Sequence, residues 1–105
     1  MKKILLVILL LLLVGCRNSN SIVGTWNYIE NNNVKTDIYY TFNKGNNGSY
    51  TYYGQVNNFT YEDRGNKIII NYIGNTNSNE YDYSINKDTL TIKDSFGNDV
   101  TYKRK

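Results

Sequence analysis

The residue types that most enzymes use for catalysis are scarce in this chain of 105 residues, which contains no histidine and one cysteine. It therefore cannot build a Ser-His-Asp or Cys-His arrangement, and the usual zinc ligand sets are missing. Carboxylates remain. Glu80 and Asp82 lie two apart on a predicted strand, with Cα atoms roughly 6.5–7 Å apart, a separation that suits paired acid and base groups. Glu62 and Asp63 lie at a predicted turn.

Both carboxylate pairs fall at positions predicted to face water, so we interpret them as surface charge. We accordingly predict no catalytic residue, no metal and no cofactor. A carboxylate-based glycan hydrolase stays open as the last of the alternatives.

Tyrosine is the unusual residue type, with eleven in the chain. Tyr39, Tyr40, Tyr50, Tyr52 and Tyr53 crowd two neighbouring predicted strands, and alternation cannot turn all of them inward. An exposed aromatic cluster could stack on sugar rings or anchor a protein partner, because tyrosine recurs in binding hot spots. The alternative is ordinary cross-strand packing. We take Tyr39, Tyr50, Tyr52 and Tyr53 as a candidate binding surface.

The only cysteine, Cys16, closes a segment with the features of an export signal. Lys2 and Lys3 precede an apolar run of eleven residues, 4–14, which is too short to span a bilayer as a helix. The run ends in Leu-Val-Gly-Cys, which resembles the bacterial lipobox. The resemblance implies a signal peptide over 1–15 and a diacylglyceryl group on the Cys16 sulfur. The alternatives are a secretory signal with a free cysteine and a buried core helix.

Lipidation of Cys16 would place the protein on the extracytoplasmic face of a membrane. Stable attachment takes two acyl chains, which a diacylglyceryl group supplies. Residues 16–21 form the lipidated cysteine and a short polar tether, which reaches at most about 16–18 Å. The domain that follows, 22–105, therefore stays close to the membrane.

The charge of the mature chain argues against a nucleic-acid partner. Loss of Lys2 and Lys3 with the signal leaves ten basic and nine acidic residues, a net charge of +1. Nucleic-acid-binding domains carry clustered basic residues and a strongly basic balance. The run 103–105 is the only basic cluster, and we interpret it as a solvated end.

The elements that position these residues are predicted to be strands throughout. Val, Ile, Thr, Tyr and Phe fill the short runs, and Asn, Gly and Asp fill the breaks. The predicted strands are 22–30, 36–43, 49–54, 57–62, 67–73, 80–86, 89–94 and 99–104. Asn47-Gly48 is the pair that tight hairpins favour. Eight strands with short links predict a small all-β fold, an antiparallel up-and-down barrel closed to remove its edges.

Alternation also assigns an inner face of sixteen large side chains. They are Trp26, Ile38, Tyr40, Phe42, Phe59, Tyr61, Ile68, Ile70, Tyr72, Tyr81, Tyr83, Ile85, Leu90, Ile92, Val100 and Tyr102. Nine of them are aromatic, and an eight-stranded barrel has room for little more than its own side chains. We therefore predict a largely filled interior, with recognition at an open rim or on the outer tyrosines.

The first strand carries a signature. Gly24-Thr25-Trp26 resembles the Gly-x-Trp motif that opens lipocalin and related calycin barrels, and the runs 81–85 and 88–92 are similar to small bacterial lipocalin-like domains, many of them lipoproteins. The resemblance implies that Trp26 is buried at the closed end of the barrel. It also implies that Arg104, on the last strand, packs over its ring.

Together these features predict a membrane-anchored, lipocalin-like binding or interaction module without catalytic activity. Its partners would be the membrane, through diacylglyceryl-Cys16, and a small apolar ligand, an envelope protein or a glycan. The alternative is an inhibitor or envelope-stress protein that acts by surface recognition of a protein, without a small-molecule ligand.

Overall fold

The computed structural model describes residues 21–105. The predicted signal peptide, Cys16 and the tether up to residue 20 lie outside the described residues. Residues 21–105 form eight strands and no helix. The strands are β1 (Gly24–Glu30), β2 (Asn33–Asn43), β3 (Asn47–Tyr52), β4 (Gln55–Asp63), β5 (Lys67–Tyr72), β6 (Asn79–Asn86), β7 (Thr89–Lys93) and β8 (Asp99–Arg104).

The eight strands close into an antiparallel up-and-down barrel, which confirms the predicted fold class. Each strand pairs with the next one along the chain, and β8 returns to pair with β1. At this junction Trp26 lies opposite Arg104, and Tyr28 lies opposite Tyr102. The ring of strands and its core are contained in residues 22–104, so this part of the chain is a self-contained folding unit.

Strand β2 begins three residues earlier than predicted, because Asn31 and Asn32 alone make the turn that precedes it. Their φ angles are 50° and 66°. Asparagine tolerates this left-handed region, and a two-residue hairpin turn with positive φ at both positions matches the twist of the strands it joins. The β1–β2 hairpin is therefore tighter than the sequence pattern indicated.

The predicted turn at Asn47-Gly48 is wrong, because both residues belong to β3. The chain turns instead at 44–46, where Gly45 and Asn46 have φ of 92° and 68°. Gly48 serves packing. A Cβ built there would lie 2.2 Å from the backbone oxygen of Thr41 and 2.7 Å from the Phe59 ring.

The core is the one predicted from alternation. Of the sixteen inner residues, eleven are buried, and Tyr72, Tyr81, Tyr83, Ile85 and Val100 are half-buried and pack against them. Trp26, Ile68, Ile70 and Leu90 have no exposed surface. Ile22, which precedes β1, was not predicted to be in the core but is also buried.

The chain turns at the two ends of the barrel, which we call the closed end and the open end. At the closed end lie the turns 44–46, 64–66 and 87–88, the entering segment 21–23 and residue 105. At the open end lie the turns 31–32, 53–54, 73–78 and 94–98. Ile22 lies at the closed end, where its carbonyl oxygen accepts a hydrogen bond of 2.8 Å from the Trp26 indole.

Candidate functional site

The exposed large apolar side chains of residues 21–105 all lie at the open end. Each is within two residues of one of its turns, and their exposed fractions run from 47% to 87%. They are Val34, Tyr52, Tyr53, Val56, Ile73 and Phe96. Scattered apolar residues are normal on a protein surface, but a concentration in one region indicates a binding site.

Two cavities open at this end, on either side of Tyr50, and we call them together the mouth. The larger, of about 560 Å³, is lined by Tyr50, Val56, Asn57, Asn58, Tyr72, Ile73 and Asn75. The smaller, of about 370 Å³, is lined by Tyr28, Glu30, Ile38, Tyr50, Tyr52, Tyr53, Val100 and Tyr102. Ligand pockets in proteins span roughly 300–1,000 Å³, so each cavity has room for a small molecule.

Below the mouth the barrel is filled with aromatic rings. The Tyr40 ring centre lies 5.4 Å from that of Phe42 and 5.3 Å from that of Tyr102. Phe42 in turn lies 5.5 Å from Phe59. These spacings are those of packed aromatic pairs. A ligand at the open end would therefore rest on this floor and not enter the barrel.

Three tyrosines that line the mouth, Tyr50, Tyr72 and Tyr102, keep their protons at neutral pH. Burial raises the pKa of Tyr50 and Tyr72, which line the larger cavity. Burial also raises the pKa of Tyr102, which lines the smaller cavity, to a larger extent. A neutral phenol both donates and accepts hydrogen bonds. The mouth thus offers aromatic faces beside hydroxyl and amide groups.

The four tyrosines proposed as a binding surface do not share one face. Tyr50 points into the barrel, with its ring centre 4.6 Å from that of Tyr40. Tyr52 and Tyr53 lie at the rim, 50% and 62% exposed, and their rings meet edge to face at 4.7 Å. Tyr39 alternates with the inward Ile38 and Tyr40 and so lies on the outer wall. The structure thus gathers Tyr50, Tyr52 and Tyr53 at the mouth and leaves Tyr39 outside it.

The signature residues form a cluster at the other end. The guanidinium carbon of Arg104 lies 4.1 Å from the centre of the Trp26 ring. The same guanidinium donates hydrogen bonds to the carbonyl oxygens of Val23 and Ser21, at 3.2 and 3.0 Å. Gly24 has a φ of 140°, and a Cβ there would lie 3.1 Å from Arg104 Nη1. Arg104 therefore ties the entering chain to the last strand and covers Trp26, a structural role.

Two of the four candidate carboxylates, Asp82 and Glu62, lie in surface ion pairs, and Glu80 is exposed. Asp82 accepts a hydrogen bond of 2.8 Å from Lys67, and this contact lowers the pKa of Asp82. Glu62 pairs with Arg64, and Asp63 accepts hydrogen bonds from the Tyr83 hydroxyl and the Gly65 amide. A carboxyl group that acts as a general acid at neutral pH needs a raised pKa, whereas the pKa of Asp82 is lowered.

Residues 21–105 contain no group of three or more acidic, histidine or cysteine side chains arranged to hold a metal ion. Within the same residues no helix has the length and apolarity to cross a membrane.

Several mouth residues were not predicted. Tyr28 follows Trp26 by two positions, so alternation was a signal that could have placed it on the inner face. Val56 and Ile73 carried no such signal, since an isolated apolar residue beside a turn is common on surfaces. Asn57 and Asn75 are indistinguishable in sequence from the many other asparagines.

No family model, curated protein or solved structure matches this chain.

Proposed function

We propose that this protein is an exported lipoprotein, anchored through diacylglyceryl-Cys16 to the extracytoplasmic face of a membrane. Its lipocalin-like barrel is a non-catalytic binding module, and the mouth is its ligand site. The ligand is a small molecule with an apolar face, which packs against the tyrosines while amides and phenols bind its polar edge.

The observation that carries this proposal is the segregation of exposed apolar surface. Within residues 21–105, all six exposed large apolar side chains lie at the open end, and the chain enters the barrel at the closed end. An anchor attached at Cys16 therefore leaves the mouth free. A module that had only to be soluble and stable gains nothing from collecting apolar residues at one end.

The backbone at Tyr53 adds support. Tyr53 has a φ of 47° in the two-residue turn with Gly54. This region disfavours a bulky side chain, and the turn favours asparagine at that position. The other two-residue turn of the open end uses asparagine at both positions, Asn31 and Asn32. A tyrosine that is strained and exposed indicates a side chain retained for contact with a ligand.

A second candidate is recognition of a protein, as an inhibitor or envelope-stress protein would use. The rim side chains that project farthest, Ile73 at 73% exposed and Phe96 at 87%, favour it. Phe96 lines neither cavity of the mouth, so a ligand held in the mouth would leave it uncovered.

Binding of a neutral apolar fluorophore, N-phenyl-1-naphthylamine, to residues 21–105 tests the mouth. We expect saturable binding at one site. The double variant Val56→Thr/Ile73→Thr should weaken it about tenfold, equivalent to ~1.4 kcal/mol. Both side chains are exposed and line the larger cavity, and threonine keeps the β-branched shape, so folding should be unaffected.

Val34→Thr is the matched control, because Val34 is exposed at the same end and lines neither cavity. It should change the affinity less than about twofold. Absence of saturable binding, or equal losses in variant and control, would contradict a ligand site in the mouth. A photo-crosslinking residue at Phe96 that captured one envelope protein in intact cells would then favour the second candidate.

The anchor has its own test, the substitution Cys16→Ser. Serine offers no thiol for the thioether, so the variant should stay in the aqueous phase when detergent is used for phase partition, whereas the native protein enters the detergent phase. Retention of the processed variant in the detergent phase would contradict the lipoprotein assignment.

A further inference from the structure

The charges of residues 21–105 divide between the two ends of the barrel. Within two residues of the closed-end turns, or of residue 105, lie seven basic and three acidic residues. Near the open-end turns lie one basic and four acidic residues. The closed-end set is Lys44, Arg64, Lys67, Lys87, Lys103, Arg104 and Lys105 against Glu62, Asp63 and Asp88. The open-end set is Lys93 against Glu30, Glu80, Asp94 and Asp99.

Asp82 lies opposite Lys67 and forms an ion pair with it, so it also belongs to the closed end. The near-neutral total therefore hides a net charge of about +3 at one end and about −3 at the other. Four of the closed-end lysines form no ion pair with other described residues, and all four are exposed. They are Lys44, Lys87, Lys103 and Lys105. Lys44 lies in the turn 44–46, Lys87 lies in the turn 87–88, and the other two lie at the end of β8. Because they come from three segments of that end, the four lysines form a basic surface and not a single basic run.

Lys87 resembles Tyr53 in its backbone. It has a φ of 55°, in the left-handed region where asparagine or glycine is the less costly residue. A lysine held in that conformation at the tip of the β6–β7 turn places a cation at the extremity of the closed end.

The path of the chain relates this surface to the membrane. Arg104 holds the Ser21 carbonyl at the closed end, so the tether leaves the barrel there. Ser21 follows Cys16 by five positions, so the chain between them reaches at most about 16–18 Å. Interactions with a charged surface extend about 8–10 Å at physiological salt. The basic end is therefore kept within, or just beyond, the range of the lipid headgroups.

From these observations we infer that the closed end of the barrel is a contact surface for anionic phospholipid headgroups. It holds the barrel upright, with the acidic open end and the mouth directed away from the membrane. The inference rests on the proposed lipid anchor for the orientation of the chain, but the attraction itself requires only the barrel.

Sedimentation of residues 21–105 with lipid vesicles tests the attraction without the anchor. The protein should bind vesicles that contain phosphatidylglycerol and not vesicles of phosphatidylcholine alone, and added salt should weaken the binding. Each lysine near an anionic surface strengthens binding roughly fivefold. The double variant Lys44→Gln/Lys87→Asn should thus bind about 25-fold more weakly.

The matched control is Lys35→Gln/Lys93→Gln, which removes the same net charge away from the closed end. It should change the partition by less than about twofold. Equal losses in the two double variants, or binding without phosphatidylglycerol, would overturn the inference. Tighter binding to soluble polyglutamate than to the vesicles would also overturn it and assign the basic surface to an anionic polymer.

These outcomes are separate from the test of the anchor. If the native protein partitions into detergent but residues 21–105 do not bind anionic vesicles, the contact surface is contradicted and the lipoprotein proposal is not. If the processed Cys16→Ser variant stays in the detergent phase, the proposed lipid anchor is contradicted, and the vesicle experiment still tests the basic surface independently.

Discussion

Tyr53 combines a disfavoured backbone conformation with an exposed ring, a combination that fits the proposed contact with a ligand. Its φ of 47° lies where L-residues with bulky side chains are disfavoured, and its ring is 62% exposed. Asn31 and Asn32 make the neighbouring turn of the open end with a residue type suited to that backbone. Asn31 and Asn32 thus suit the backbone of their turn, whereas Tyr53 does not, and under the proposed function its side chain is what the turn retains it for.

The substitution Tyr53→Asn should therefore stabilise the barrel and impair the mouth. We expect the free energy of unfolding in urea to rise by about 0.5–1 kcal/mol, since asparagine relieves the left-handed strain. Binding of the fluorophore should weaken. Tyr52→Asn is the control, because Tyr52 is similarly exposed but lies in a strand, where asparagine should destabilise. A loss of stability in Tyr53→Asn would contradict strain at this position.

Trp26 and Arg104 should differ in what their removal costs. Trp26 is fully buried, so Trp26→Ala should lose about 3–5 kcal/mol and leave this small domain largely unfolded by circular dichroism. Arg104→Ala should leave it folded. A cation over tryptophan contributes roughly 0.5–2 kcal/mol, and each kcal/mol corresponds to roughly 4–8 °C in Tm for a domain of this size. Lys103→Ala, on the exposed outer face, should leave Tm nearly unchanged.

At the scale of strands and turns, all sixteen residues that period-two alternation assigned to the inner face are buried or half-buried, because each strand has one face in the core. Alternation could not place the turns. The pair Asn47-Gly48 predicts a hairpin turn. Glycine also occurs where two strands approach closely, which is the case at Gly48, and the residue types alone do not distinguish the two situations. Nor could alternation define the mouth. Alternation separates inside from outside but does not give the height along the barrel axis, which depends on strand tilt and register.

Gly48→Ala tests the packing role of that glycine. The added Cβ would meet the Thr41 backbone oxygen and the Phe59 ring, so β2, β3 and β4 must separate locally. We expect a loss of about 1–3 kcal/mol in the free energy of unfolding, measured by urea denaturation. Ser49→Ala on the same strand should cost less. A neutral Gly48→Ala would show that the strands can shift without cost.

At the scale of the whole molecule, the tyrosine-rich core makes the free energy of unfolding decrease with pH in the alkaline range. Burial raises the pKa of Tyr40 and of Tyr102 above the usual value of 10.0. Above that pH the unfolded chain loses phenolic protons that the barrel retains. The contribution of these tyrosines is therefore complete below about pH 10, and it falls as the pH rises through their folded-state pKa.

We expect the free energy of unfolding to be constant between about pH 8 and pH 10 and then to decrease by ~1.4 kcal/mol per pH unit for each such tyrosine. Urea denaturation at a series of pH values measures the slope. Tyr102→Phe removes one titrating group and should make the slope shallower. A free energy of unfolding that stayed level to about pH 11 would contradict the placement of these phenols in the core.

The pairing of β1 with β8 also has a kinetic consequence. The other seven pairings join strands adjacent in the chain and can form as local hairpins, whereas this one joins the two strands farthest apart. Closing so long a loop costs chain entropy before any contact rewards it, so the last pairing should limit the folding rate. Trp26 lies at this seam, opposite Arg104. Because it is the only tryptophan in the chain, its fluorescence in a stopped-flow experiment should report when β1 pairs with β8 and the barrel closes.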